Sequence, residues 1–229
     1  MLGLVALLAA AAFVGAYYYF NRPRHPKPWV AAPRAPRAPE VVRVALERQI
    51  ELLRDAGLAL GPSVTVDDLL HSFPREEYED DPYALLLIMY GAEIEREPFG
   101  RRISAMAWDF DLECIEGPGG YVAIVEELAR LTGRPDLITE VTDAIDMDAP
   151  VARVAFAVGG VAKAYEMRID SDWADPEGVT QVMHDIAAMA DDGRSFWGVD
   201  NGQAITVFFI ADSVATKVNA IAGEKLRRL

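Results

Sequence analysis

The stretch that decides the fold is Val151–Ile169, VARVAFAVGGVAKAYEMRI. Gly159-Gly160 interrupts it in the middle, and glycine adopts the positive φ of a tight turn at little cost. Apolar side chains recur at alternate positions on both sides of this turn, as in a strand with one buried face. The pattern predicts a hairpin with strands over 151–158 and 161–169. The inward faces are Ala152, Val154, Phe156 and Val158, then Val161, Tyr165, Met167 and Ile169.

Four further stretches are candidates to extend the sheet. Residues 195–199 and 204–210 flank Asp200-Asn201-Gly202, which is a strong hairpin-turn sequence. The second arm, AITVFFI, is apolar throughout, as in a central strand with both faces covered. Arg102–Cys114 alternates apolar and acidic residues and predicts another strand, while 137–145 fits either a strand or a short helix.

Helical periodicity fills the rest of the chain from residue 40 onwards. Pro74–Asp81 is polar and is expected to form a loop. The chain is therefore predicted to be α+β, a mainly antiparallel sheet with packed helices. Residues 40–95 would form a helical layer and residues 100–229 a sheet-containing core. Six helices are expected. Four of them cover residues 40–57, 121–133, 176–189 and 212–227. Another begins after the N-cap Thr65 and ends at about His71, and the last begins at Asp81-Pro82 and continues through the apolar sequence YALLLIMYGA.

The N-terminus is a different kind of sequence. Residues 1–20 carry no charged side chain, and about 20 apolar residues span the roughly 30 Å of a bilayer core. A basic, proline-rich linker follows over residues 21–39. Its positive charge favours a single-pass signal anchor at residues 2–20, with the domain of residues 40–229 in the cytoplasm. A secretory signal peptide cleaved near Val14-Gly15-Ala16 and a buried core helix stay open as alternatives.

Charge is divided unevenly along the chain. Five of the 22 Lys and Arg residues, and none of the 36 Asp and Glu residues, lie in the first 37 positions. The remainder therefore has a net charge of −19, which argues against nucleic-acid binding and favours a basic protein partner. Solubility is the alternative purpose of this charge. A single cysteine, Cys114, excludes an intrachain disulfide and a cysteine-based zinc cluster.

Asp109, Asp111 and Glu113 form the first acidic cluster. They fall on one face of the predicted strand, with neighbours about 6.5 Å apart. Such carboxylates can bind Mg²⁺ or Ca²⁺ or act as acid and base, so all three are metal-ligand candidates. The alternatives are a solvated strand face, or pairing with the guanidinium groups of Arg101, Arg102, Arg153 or Arg168.

Asp170-Ser-Asp-Trp-Ala-Asp175 is the second acidic cluster. It lacks the glycine and the terminal glutamate of an EF-hand loop, and Asp175 fits a helix N-cap. Asp170, Asp172 and Trp173 are partner-binding candidates, although Trp173 also suits a half-buried core position. Asp143, Asp146 and Asp148 match no metal-binding loop and are expected in a solvated loop. The chain contains no catalytic signature and no cofactor-binding motif, so no cofactor is expected.

Two motifs carry a resemblance. They are Trp108-Asp-Phe-Asp-Leu-Glu-Cys-Ile115, followed by Tyr121, and Asp170-Ser-Asp-Trp-Ala-Asp-Pro176 at the start of a helix. Over about residues 100–190 the chain resembles small, uncharacterised bacterial α+β proteins, some of them associated with polymorphic-toxin and immunity loci. The resemblance implies a compact binding protein rather than an enzyme. The N-terminal anchor is not part of that pattern.

These observations predict a membrane-anchored, non-catalytic binding protein that presents an acidic domain to a basic protein partner, such as a toxin in an immunity-type interaction. Two alternatives stay open. One is a metal-dependent hydrolase that uses the strand-borne carboxylates, and the other is a structural subunit of an envelope assembly.

Overall fold

The structure is a computed structural model that describes residues 42–146, 149, 151–202 and 204–229. The predicted transmembrane helix and linker lie outside these residues. Within them, no helix is long and apolar enough to cross a bilayer. The helices are α1 Leu46–Ala56, α2 Val66–Ser72, α3 Arg75–Asp80, α4 Ala84–Met89, α5 Gly120–Leu131, α6 Pro176–Ala190 and α7 Asp212–Ala222. The strands are β1 Ala107–Asp111, β2 Ile138–Ala144, β3 Val151–Val158, β4 Val161–Arg168, β5 Arg194–Asp200, β6 Ala204–Ala211 and β7 Arg227–Arg228.

The α+β prediction is confirmed, but the strands form two antiparallel sheets rather than one. The larger sheet has the order β1-β6-β5-β7, and the smaller has the order β2-β3-β4. The predicted hairpin of β3 and β4 is present in the smaller sheet, with Gly159 and Gly160 at positive φ in its turn. The inward position predicted for Val161 is wrong, because this residue begins β4 beside the turn and is 50% exposed. A single sheet does not form because α5 and α6 pack between the two: α5 contacts both β1 and β2, and α6 contacts both β4 and β5.

The apolar strand β6 lies at the centre of the larger sheet and separates two hydrophobic cores. Val207 and Phe209 belong to the core that is shared with α5, α6 and the smaller sheet. Phe208 and Ile210 belong to the core that is shared with α1–α4 and α7. The domain therefore has four stacked layers, in the order helices, sheet, helices, sheet. Strand β6 is apolar on both faces because its sheet is covered by helices on both sides.

The predicted loop at Pro74–Asp81 is wrong, because residues 75–80 form α3. Tyr78 is fully buried there, and its hydroxyl donates to the Leu69 carbonyl at 2.9 Å. Arg75 supports the same turn through ion pairs with Glu47 and Glu79. One buried aromatic and a set of ion pairs are sufficient for a short helix that has no apolar periodicity.

Three helix boundaries also differ from the prediction. The helix predicted over 40–57 is α1, which begins only at Leu46; the described residues 42–45 are not helical, and Val42 is exposed. Helix α4 begins at Ala84, after Tyr83 at a φ of 70°, so Pro82 lies in the preceding turn rather than in the first turn of the helix. Helix α7 ends at Gly223 in the left-handed conformation, and the basic residues expected to close it instead form β7. Strand β7 pairs with β5, and Leu226, which lies between α7 and β7, is buried.

Candidate binding surface

The two acidic clusters of the sequence are neighbours in the fold. Beyond the end of β1, the chain runs beside the segment that precedes α6. The Ile115 amide donates to the Asp172 carbonyl at 2.8 Å, and the Ala174 amide donates to the Leu112 carbonyl at 2.7 Å. Glu113 and Trp173 form an isolated antiparallel bridge between the same segments. We call this surface the acidic strip; it consists of Asp109, Asp111, Glu113, Asp170, Asp172 and Trp173.

Strand β1 directs its acidic residues away from the packed core. Trp108 and Phe110 stack on each other, with ring centroids 4.6 Å apart, and pack in the core beside α5. Asp109 and Asp111 alternate with them and are exposed. The Asp111 carboxylate also accepts a hydrogen bond of 2.9 Å from the Glu113 amide, which fixes the chain direction as β1 ends. The predicted alternation of apolar and acidic faces is therefore confirmed for β1 itself.

Asp109 is the most perturbed carboxyl group of the acidic strip. The protein surrounding it disfavours its charged form, and the neighbouring Asp111 carboxylate adds repulsion, so the pKa of Asp109 is raised to about 6. Its side chain still reaches solvent. Its amide donates to the Gly91 carbonyl at 3.0 Å, and its partner across the ladder is Thr206. A basic group brought to this position would stabilise the ionised carboxylate.

Asp175 fixes the second segment of the strip. It caps α6 by accepting hydrogen bonds from the Glu177 and Gly178 amides, as the sequence predicted. Its carboxylate also accepts from the Arg168 amide at 2.8 Å, and its own amide donates to the Tyr121 hydroxyl at 3.0 Å. Asp175 is nearly buried, so these bonds hold the segment of Asp170, Asp172 and Trp173 against the domain.

Trp173 is half-buried and belongs to neither hydrophobic core. Its amide donates to the Asp170 carbonyl at 3.1 Å, in a turn that places Ser171 at a φ of 59°. The indole is therefore partly exposed, in a segment that also carries Asp170 and Asp172. An aromatic side chain in this position can contribute apolar contact area to an otherwise charged surface.

The arginines proposed as alternative partners of the strip are engaged elsewhere. Their ion pairs are Arg101 with Asp68, Arg102 with Glu93 and Glu127, Arg153 with Glu166, and Arg168 with Asp175 and Glu177. Within the described part of the chain, no Lys or Arg forms an ion pair with the strip residues Asp109, Asp111, Asp170 or Asp172. Their negative charge is consequently available to a partner.

The strip does not have the geometry of a metal centre in the residues described. No group of three His, Cys, Asp or Glu side chains is placed there to hold a metal ion, and this includes Asp109, Asp111 and Glu113. The candidate ligands lie along an extended segment instead of converging on a point. Cys114 packs against the core beside them, and burial, with the nearby Asp111 and Glu116 charges, raises the pKa of its thiol to about 11.

Sequence reasoning missed the role of Asp143. This residue lies in β2, not in a solvated loop, and its carboxylate accepts hydrogen bonds from the Gly119, Tyr121 and Val122 amides at the start of α5. The interaction was not predictable because Asp143 is more than 20 positions away from the helix that it caps. Asp146 lies after β2, and Asp148 lies outside the described residues.

A cleft of about 490 Å³ lies between α6, the start of β5 and β7. Both arginines that line it are already paired: Arg194 with Asp192, and Arg228 with Asp212 at 3.1 Å. His184 contacts the Leu229 carbonyl oxygen at 3.1 Å. No pattern in the sequence indicated this cleft, and the pairing of its two arginines leaves it less net charge to offer a partner than the acidic strip has.

Comparison of the chain with known protein families, with curated proteins and with solved structures finds no match. The resemblance to bacterial immunity-associated proteins therefore stays a prediction.

Proposed function

We propose that this chain is a membrane-anchored, non-catalytic binding protein that uses the acidic strip to hold a basic protein partner. The observation that carries the proposal is the pairing of residues 112–115 with residues 172–174, which joins two acidic clusters about 60 positions apart. The joined surface offers four carboxylates, Asp109, Asp111, Asp170 and Asp172, that form no ion pair with a Lys or Arg of the described residues. The half-buried Trp173 lies in the same segment as two of them. An immunity-type interaction with a toxin is the specific form that the sequence resemblance suggests.

Electrostatics favours a basic partner for two separate reasons. The negative field of a domain with a net charge of −19 steers cationic proteins towards it and speeds their association. At the strip itself, a Lys or Arg of the partner would stabilise the ionised form of Asp109, whose pKa is raised to about 6 by its protein surroundings and, secondly, by the Asp111 charge. Binding should therefore weaken as salt increases and as pH falls below about 6.

The anchor completes the proposal. Residues 2–20 would span the membrane, and the basic, proline-rich linker of residues 21–39 would separate the acidic domain from anionic lipid headgroups that repel it. The positive charge after the anchor favours a cytoplasmic domain. Cell fractionation, followed by protease treatment of inverted and right-side-out vesicles, tests both points. Export after cleavage of a signal peptide would instead produce a shortened, membrane-free protein.

Charge removal at the strip tests the binding function. The full chain, solubilised in a nonionic detergent, would be used to isolate partners from its own cells at low and at physiological salt. A variant with Asp109→Asn, Asp111→Asn, Asp170→Asn and Asp172→Asn should lose the retained basic protein. A charge-matched control, with Glu51→Gln, Asp55→Asn, Glu76→Gln and Glu224→Gln, removes four exposed carboxylates from other elements and should keep it. Equal retention by both variants would contradict the proposal.

The two alternative functions have separate tests. Heat of binding with Mg²⁺, Mn²⁺ or Ca²⁺ in calorimetry would favour the metal-dependent hydrolase, and its loss in Asp111→Asn would assign the ion to the strip. Replacement of residues 2–20 by an unrelated transmembrane helix would abolish function if the chain is a structural subunit of an envelope assembly. The same replacement should leave a tethered binding protein active.

A further inference from the structure

A second surface feature is the loop between Glu93 and Arg102, which presents an exposed aromatic side chain. The loop is closed by a bridge between Glu93 and Arg102 and by the Ile94 amide, which donates to the Arg101 carbonyl at 2.7 Å. Phe99 lies near its tip and is 70% exposed. Four large hydrophobic residues are exposed in the described part of the chain. Three of them are valines, Val42, Val151 and Val161, and Phe99 is the aromatic one.

This loop is held in one conformation by a buried carboxylate. The Arg96 Nε donates to Asp68 at 2.8 Å, and the Arg101 Nη2 donates to the same oxygen at 3.1 Å. Arg101 also donates to the Pro98 carbonyl at 3.0 Å and to the Ser63 carbonyl at 3.2 Å. Ile94 is buried at the base of the loop. Phe99 is therefore presented by an ordered loop, which lowers the entropic cost of using it as a contact.

The charge around Phe99 selects the kind of surface that can cover it. Both nearby arginines, Arg96 and Arg101, pair with Asp68, whose single negative charge offsets one of their two positive charges. With the acidic Glu95 and Glu97 included, these five groups carry a net charge of −1. Glu95 and Glu97 are exposed, and neither forms an ion pair within the part of the chain that the structure describes. The tip is consequently an aromatic side chain with a negative rim. A negative rim is repelled by anionic lipid headgroups and is attracted to Lys and Arg.

We propose that the loop of residues 93–102 is a docking loop, in which Phe99 enters an apolar pocket that is rimmed by basic residues on a protein partner. Aromatic side chains that fill such pockets supply a large share of interface affinity, while charges at the rim set orientation and rate. The loop starts just after Gly91, whose carbonyl accepts the Asp109 amide, so it continues from the element that supports the acidic strip. The inference rests on the proposed function and extends it to a second contact with the same basic partner.

Site-specific photo-crosslinking in the cells that make the full chain tests the docking loop. The photo-reactive analogue p-benzoylphenylalanine would replace Phe99 in one chain and Val161, a second exposed apolar residue, in a matched control. We expect an adduct from position 99 and none of the same mass from position 161. The crosslinked partner peptide should be flanked by Lys or Arg, and the charge reversals Glu95→Lys and Glu97→Lys should reduce the adduct at least tenfold. Once that partner is purified, Phe99→Ala should weaken its binding by about 30-fold, and Val161→Ala by less than threefold.

Several outcomes would overturn the docking loop. These are an adduct with lipid, an adduct with a second copy of this chain, no adduct, or an adduct that is indifferent to Glu95→Lys and Glu97→Lys. The strip variants separate this inference from the proposed function. If neutralisation of the strip releases the partner and Phe99→Ala does not, the docking loop fails and the acidic strip stands. If Phe99→Ala releases the partner and the strip variant retains it, the docking loop stands alone.

Discussion

Replacement of Asp68 by Asn should destabilise the domain far more than the same change at its neighbour Asp67. The Asp68 carboxylate is 1% exposed and accepts hydrogen bonds from the Thr65 amide at 2.8 Å and the Thr65 hydroxyl at 2.9 Å. It also pairs with Arg96 and Arg101, which fix the docking loop. Asp67 occupies the same first helical turn but is exposed, which makes Asp67→Asn a matched control.

The cost of Asp68→Asn follows from what the amide can and cannot replace. Its oxygen can still accept from Thr65, so the helix cap is largely kept. It cannot neutralise two guanidinium groups, and loss of one partner from a buried ion pair costs about 3–5 kcal/mol. The Arg96 side chain is 37% exposed and can regain water when its partner is lost. We therefore expect Asp68→Asn to cost less than a fully buried pair would, about 2–3 kcal/mol. Asp67→Asn removes only a charge near the helix N-terminus, worth at most about 1 kcal/mol.

Acid provides an independent check of the mechanism. Burial alone would raise the pKa of Asp68, but hydrogen bonds from Thr65, Arg101 and Arg96 outweigh it and lower the pKa well below its ordinary value. A lowered folded pKa stabilises the protein above the unfolded pKa of about 3.9, and this stabilisation is lost as pH falls towards the folded pKa. The stability difference between wild type and Asp68→Asn should therefore shrink by about 1 kcal/mol between pH 7 and pH 3.

Urea unfolding of the full chain in nonionic micelles, followed by circular dichroism at both pH values, measures these differences. A cost for Asp68→Asn no larger than that of Asp67→Asn would refute the argument that the ion pairs are structural. A difference between wild type and Asp68→Asn that is the same at pH 7 and pH 3 would refute the assignment of the stabilisation to the ionised carboxylate.

Changes at three other places in the domain have defined outcomes. Asp143→Ala removes the acceptor of the first amides of α5 and should lower the free energy of unfolding by about 1–2 kcal/mol in the same urea assay. Gly91→Ala should cost about 3 kcal/mol or prevent folding, because its Cβ would lie 2.5 Å from the Asp109 nitrogen; soluble yield and thermal unfolding report this. Asp109 should titrate near pH 6 by NMR, and Asp111→Asn should lower that midpoint by removing the neighbouring charge. Since the Asp109 pKa is higher in the folded than in the unfolded state, its contribution to stability should fall as pH rises from about 4 to above 6, and Asp109→Asn should abolish that slope.

The elements that could be predicted from the sequence are those whose conformation is determined by their own side chains. The alternation in residues 151–158, the Gly159-Gly160 turn and the caps at Thr65 and Asp175 are local patterns, and the structure confirms each of them. Helix α3 was missed because it is stabilised by the burial of Tyr78 and by ion pairs with Glu47 and Glu79, one of them from a distant helix. Strand β7 was missed because two basic residues become a strand only when β5 is available to pair with them.

The candidate site shows the same distinction between local pattern and tertiary contact. Each acidic cluster was visible separately, and alternation correctly directed Asp109 and Asp111 away from the core. Their relation to Asp170 and Asp172 depends on two backbone hydrogen bonds between segments that carry no mutual signal in a single sequence. The arginines closest in sequence to the acidic clusters were the expected partners of their carboxylates. In the structure, however, Arg101 pairs with Asp68 and Arg168 pairs with Asp175, and both of these carboxylates cap helices.

The pairing of arginines with buried capping carboxylates explains why the acidic strip stays negative in a chain with 22 basic residues. A capping carboxylate that is nearly buried loses its hydration, so it gains more from a guanidinium than an exposed carboxylate does. Asp68 and Asp175 therefore hold cations that exposed residues such as Asp111 and Asp170 would bind only weakly. The same ion pairs that order the docking loop and the start of α6 leave the acidic strip and the rim of Phe99 negative. Stability of the domain and its preference for a basic partner then have one physical origin, and Asp68→Asn should alter both together by releasing Arg96 and Arg101 beside Phe99.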